Sequence, residues 1–152
     1  MKNPAVFAAV VATCLVAGAQ SPTPAQAESL VKRAVAYAKT NGIEKLIQQT
    51  NQGNGVFHVG SGGEMYLFVY DQAGVCKAIG FNSVELVGKN RMGLKDPDGK
   101  MILQEMLAVG KTKGKGWVDY KYPDPVTGKI LAKTSYVETH EGLLFGCGIY
   151  KR

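Results

Sequence analysis

The segment Met65-Tyr66-Leu67-Phe68-Val69-Tyr70 is apolar at every position. A strand with two apolar faces has to be covered on both, so this one belongs in the middle of a sheet with packed layers above and below it. Asp71-Gln72-Ala73-Gly74 follows as a hairpin turn, and Val75 to Ile79 returns as a second strand. The last third of the chain is a meander. Gly116–Tyr122, Lys133–Glu138 and Leu143–Tyr150 read as strands, separated by Pro123-Asp124-Pro125-Val126-Thr127-Gly128 and by His140-Glu141-Gly142. Helical spacing lies outside these groups. Leu30, Val31, Ala34, Val35 and Ala38 recur on one side of Glu28–Thr40, which Asn41-Gly42 stops. A short helix is expected over Ile43–Gln49, and a third from about Lys100 to Val109, with Gly110 placed to end it. Two groups of strands around a helical crossover, with helices segregated from the sheet, predict an α+β domain on an antiparallel sheet.

The first 27 residues read differently. One lysine, an apolar run from Ala5 to Ala19, and a polar, proline-bearing stretch ending in Ala25-Gln26-Ala27 make a secretory signal peptide. Cleavage after Ala27 leaves a single domain, Glu28–Arg152, of about 125 residues, large enough for a core without staples. A retained anchor and a lipoprotein form at Cys14 are the alternatives; the apolar run continues past Cys14, and Thr13 suits that processing poorly. The mature protein is expected to be periplasmic or secreted. With Lys2 removed, the +6 formal charge of the chain falls to +5. The basic residues are scattered, with one concentration at Lys111-Thr112-Lys113-Gly114-Lys115, and form no basic stripe interleaved with aromatics. That pattern points away from nucleic acid and toward small anions or an anionic surface.

Several segments, taken in order, carry a resemblance. They are Tyr66–Asp71, Leu86-Val87-Gly88-Lys89-Asn90, Leu94–Lys100, Gly116–Tyr120, Pro123–Lys129, Lys133-Thr134-Ser135-Tyr136-Val137 and Gly146-Cys147-Gly148-Ile149-Tyr150. Together they resemble the single Cache domain family, type 2. The resemblance implies an extracytoplasmic, PAS-like sensor domain with a long N-terminal helix and a five-stranded antiparallel sheet in order 2-1-5-4-3. It also implies a pocket on one sheet face for small molecules, often short organic acids. Members usually sit in transmembrane receptors ahead of a chemotaxis, kinase or cyclase module. No such module follows here, so a partner encoded elsewhere is expected. Where the family often has a histidine and proline after the second strand, this chain has Gly80-Phe81-Asn82. In the implied order the strands bearing Cys76 and Cys147 are two spacings apart, roughly 9–10 Å. A disulfide needs α-carbons within about 7 Å, so both thiols are expected to be free.

A small carboxylate in a partly dry cavity needs cationic or hydroxyl donors and aromatic walls. Lys133 is the first candidate for its partner; the alternative is an exposed lysine at a strand start. Tyr120 and Tyr136 are candidate hydroxyl donors or core tyrosines. Trp117 is a pocket wall or a hydrophobic anchor. Tyr66 and Phe68 are a pocket floor or plain core, and Arg91 is a bidentate donor closing over the ligand or a solvated loop residue. Alternation along the strands puts Val118, Tyr120 and Tyr122 on one side and Trp117, Asp119 and Lys121 on the other. It likewise separates Lys133, Ser135 and Val137 from Thr134, Tyr136 and Glu138. Gly146 and Gly148 leave a bare strip on the last strand, a mark of close approach by another group.

Catalysis is not expected. The one nucleophile constellation is Cys147 with His140 or His58, and a thiol inside a central strand is ordinarily inert. Two isolated histidines give no metal site, and no haem, P-loop or dinucleotide motif is present, so no cofactor is expected. The expected function is non-covalent binding of a small organic anion, with a ligand-dependent surface shown to a membrane receptor or transporter. The rival is a ligand-free protein–protein adaptor docking through the first helix. A homodimer through that helix, with Ala34 and Ala38 allowing close approach, is a further expectation.

Overall fold

The computed structural model describes residues 21–59 and 64–152. The expected leader therefore lies outside the described residues as far as residue 20. Helix α1 spans Pro24–Asn41 rather than beginning at Glu28. Its earlier start has a local cause: Thr23 and Gln26 form a reciprocal capping box and Pro24 occupies the first turn. The bond after Ala27 thus falls within the helix, beside a residue with no exposed surface. Gly42, at φ +89°, breaks α1 from α2, which covers Ile43–Asn51.

Six strands form one antiparallel sheet: β1 (His58–Val59), β2 (Met65–Tyr70), β3 (Cys76–Ile79), β4 (Lys115–Pro123), β5 (Ile130–His140) and β6 (Leu143–Tyr150). The five long strands lie side by side as β3-β2-β6-β5-β4. The two-residue β1, which the sequence reading does not include, pairs with β2 along the same edge as β3. β2 is buried at all six positions. The β2–β3 turn is fixed by Asp71, whose Oδ1 accepts from the N–H groups of Ala73 and Val75 at 3.0 and 2.9 Å.

Period-two alternation splits the core into two layers. On one face Leu67, Val69, Phe145, Cys147, Ile149 and Tyr136 pack under α1. On the other, Tyr66, Phe68, Tyr70, Val118, Tyr120, Val137 and Leu144 meet α4 (Ile102–Lys113). The short α3 (Ser83–Leu86) lies in the stretch after β3. Gly110 does not end α4; the helix runs on to Lys113, and Gly114, at φ +76°, caps it. A β-carbon on Gly110 would collide with Thr139 and come within 2.8 Å of Leu144 Cδ1, so this glycine lets the helix lie close on the sheet. Ala34 and Ala38 serve the same end in α1: both are buried against the sheet and give no surface to a second helix. No helix among the described residues is long and apolar enough to cross a membrane.

Candidate ligand cavity

Lys133 defines the site. It stands on β5 between Tyr120 of β4 and Tyr150 of β6, its register partners, and is only 2% exposed. Its side chain crosses β6 above Gly148, where an added β-carbon would lie 2.5 Å from Lys133 Cε. That crossing brings Nζ to Tyr66 on β2. Nζ donates to Tyr66 Oη at 3.2 Å and to Tyr150 Oη at 3.4 Å. It also sits over the rings of Tyr66, Tyr122 and Tyr150, at 4.8, 5.3 and 4.6 Å from their centroids. No carboxylate among the described residues lies within ion-pair distance of it. Burial holds its pKa down to about 8, against a partial opposing pull from neighbouring groups.

A cavity of about 40 Å³ opens beside this cation. The sheet supplies Phe68, Tyr70, Tyr120 and Tyr122; Leu94, Ile102, Leu103 and Met106 roof it from α4 and the loop before it. That is room for about one water molecule. Tyr120, which lines it, has its Oη 2.8 Å from Ser135 Oγ. Tyr150 donates its own proton to the Pro123 carbonyl at 2.6 Å, whereas no acceptor for the Tyr66 proton is found among the described residues. Burial raises the pKa of Tyr66 and of Tyr120, so both keep their protons and can donate. Arg91 reaches the rim: Nη2 donates to Tyr122 Oη at 3.3 Å, and Nε is buried without a partner.

Lys133, Tyr120 and Phe68 therefore line one cavity; Tyr66 is joined to it through Lys133 Nζ, and Arg91 through Tyr122. Tyr136 and Trp117 do not join them. They lie on the α1 face, in contact with each other at 5.4 Å between ring centroids, and Tyr136 donates to Glu138 at 3.1 Å. Trp117 is 39% exposed there. Tyr122, Tyr150, Ser135 and the α4 residues were not singled out from the sequence. Tyr122 and Tyr150 were within reach: each shares the parity of a residue already marked, Tyr120 and Gly148 respectively.

The two thiols are free and buried on opposite faces of the sheet, which rules out their bridging. Burial pushes the Cys147 thiol up to about 12 and that of Cys76 up to about 11, so neither is a thiolate at neutral pH. Among the described residues no group of three or more His, Cys, Asp or Glu is placed to hold a metal ion.

The model of the family described as Single Cache domain 2 matches residues 27–150. Methyl-accepting chemotaxis protein McpP of Pseudomonas putida is 36% identical over 59 residues, 38% of this chain and 11% of that protein. Sensor histidine kinase MctS of Rhizobium johnstonii is 35% identical over 94 residues, 59% of this chain and 19% of that protein. The matched segments thus span less than a fifth of either relative. A solved periplasmic sensor domain of a chemotaxis protein aligns at a TM-score of 0.63 and 25% identity, covering 82% of this chain and 88% of the other. A Cache chemosensory domain solved for its recognition of carboxylic acid aligns at a TM-score of 0.63 and 23% identity, covering 82% and 86%.

Proposed function

The chain belongs to the Single Cache domain 2 family, and on that premise we propose that it is an exported sensor-type domain for a short organic acid. The acid binds beside Lys133, and the loaded domain shows an altered surface to a membrane receptor or transporter. The observation that carries this reading is a buried cation beside a cavity, with no carboxylate within ion-pair distance among the described residues. Such a charge is costly to bury alone, and an incoming carboxylate would relieve the cost. Tyr66 and Tyr120 supply hydroxyl donors to the same oxygens, while the aromatic and aliphatic walls exclude water around the carbon chain. The cavity, about 40 Å³, is close to one water molecule's share of volume, so the aliphatic roof has to give way even for the smallest acids. The chemosensory relative's recognition of carboxylic acid supports the ligand class. The chemotaxis and kinase relatives support a receptor as the partner.

The test is a thermal-shift series with acetate, propionate, pyruvate, larger dicarboxylates and amino acids, on wild type and Lys133→Ala. At a hundred times its dissociation constant, a ligand should stabilise wild type by roughly 2.7 kcal/mol, several degrees for a domain of this size. A short acid is expected to shift wild type and leave Lys133→Ala unmoved. A flat wild-type response to every acid would discard the sensor reading in favour of the adaptor.

A further inference from the structure

We propose that Lys133 captures small 2-oxo acids covalently, forming a reversible imine between Nζ and the ligand's carbonyl carbon. The proposal rests on the reading of the cavity as the acid site. Its starting point is that Lys133 is built as a reactive amine as much as a counter-ion. Most buried lysines are neutralised by a carboxylate, which keeps them protonated and unreactive. Here the amine is 2% exposed and, among the described residues, its polar contacts are phenol oxygens and ring faces. It lines a cavity of about 40 Å³, which the aliphatic roof must open further to admit a three-carbon acid. A lysine desolvated among apolar groups is the usual setting for imine chemistry. Burial brings its pKa to about 8, so about a tenth of the molecules carry the neutral amine at neutral pH.

The atoms balance without an oxidant or reductant. The neutral amine attacks the carbonyl carbon, a C–N bond forms and the C–O bond breaks. The oxygen leaves as water, with one proton taken from the nitrogen and one, equal to that released when the ammonium became the amine, returned from solvent; the second nitrogen proton stays on the iminium. Net charge is unchanged from ammonium plus acid. Tyr66 is placed for the proton traffic: its oxygen accepts from Nζ at 3.2 Å and its proton has no other acceptor among the described residues. Tyr150 is not, because its proton is held by the Pro123 carbonyl. The acid's own carboxylate then lies next to the iminium and supplies the negative charge that the cavity lacks. Gly148 and Ser135 fix the reach of the side chain, since Lys133 Cε rests over β6 where any larger residue would displace it.

The test treats the purified protein with pyruvate and cyanoborohydride, followed by intact mass and peptide mapping; acetate serves as the unreactive competitor. The expected result is a single addition equal to pyruvic acid less one oxygen, on Lys133, suppressed by excess acetate and absent from Lys133→Arg. The acetate competition is read on wild type, so it stands even if the variant folds poorly. Stabilisation by pyruvate with no adduct on Lys133 overturns the imine and leaves the binding reading intact. Adducts spread over surface lysines and insensitive to acetate overturn it as well. Neither stabilisation nor adduct with any acid overturns both readings.

Discussion

At the scale of single residues, the buried amine governs how the unliganded protein responds to pH. Lys133 has a lower pKa folded, about 8, than the ordinary lysine value of 10.5. Below pH 8 both states carry the charge and the folded state bears its desolvation. Between pH 8 and 10.5 the folded state releases the proton while the unfolded chain keeps it, so stability rises with pH. The gap corresponds to about 3 kcal/mol. Other groups around the amine, Cys147, Tyr66, Tyr120, Tyr122, Tyr150, Arg91 and Asp124, are common to wild type and Lys133→Met. The difference between the two in urea unfolding should therefore isolate the lysine. Wild type is expected to gain on the variant from pH 8 upward, and a constant difference across that window would contradict the buried-charge account. Gly148 sets the position of the same side chain. Gly148→Ala would drive a methyl into Ser135 and Lys133, at a cost of roughly 1–3 kcal/mol. It should also abolish the thermal response to acetate, a loss that a merely destabilised but intact cavity would not show.

Among the elements, α4 shows where local propensity and packing pull apart. A glycine inside a helix costs about 1 kcal/mol relative to alanine, so Gly110→Ala would stabilise an isolated α4. In the folded protein the new methyl meets Thr139 and Leu144 on the sheet. Gly110→Ala is expected to lower stability by about 1–2 kcal/mol, measured by thermal or urea unfolding; a gain would mean that helix and sheet adjust freely. The same conflict explains what could be read from the sequence. The all-apolar β2, the meander strands and the antiparallel α+β class follow from alternation and turn chemistry. The end of α4 did not, because glycine serves equally as a stop and as a contact surface, and only the neighbouring layer decides which. Period two also placed Tyr136 opposite Lys133 and Trp117 opposite Tyr120. It could not say which face α4 would leave partly open, so residues of both faces stood as candidates. Tyr122 and Tyr150 were missed for a related reason: a cage around one amine is assembled from three strands, and no single stretch displays it.

For the molecule as a whole, export and thiol state are read in one measurement. The proposed leader ends at Ala27, so the peptidase would act on the translocating, unfolded chain, before α1 forms. Processing there also removes Thr23 and its capping box, leaving a helix that starts at Glu28. The intact mass of the exported protein, taken without reductant, should match Glu28–Arg152 with both cysteines reduced. Both thiols should resist labelling until the protein is unfolded. A mass two hydrogens lighter would contradict the opposite-face placement of Cys76 and Cys147, and a different N-terminus would move the leader boundary. The sheet that separates those thiols also divides the labour of the cavity. Its floor includes Lys133, whose position Gly148, Tyr66 and Tyr150 constrain. The roof is made of Leu94, Ile102 and Met106, which touch the cavity and bind nothing by hydrogen bonds through their side chains. Under the proposed acid-binding reading, evolution could therefore retune the size of ligand by trimming or enlarging aliphatic side chains overhead, one substitution at a time, while the charge below stays fixed.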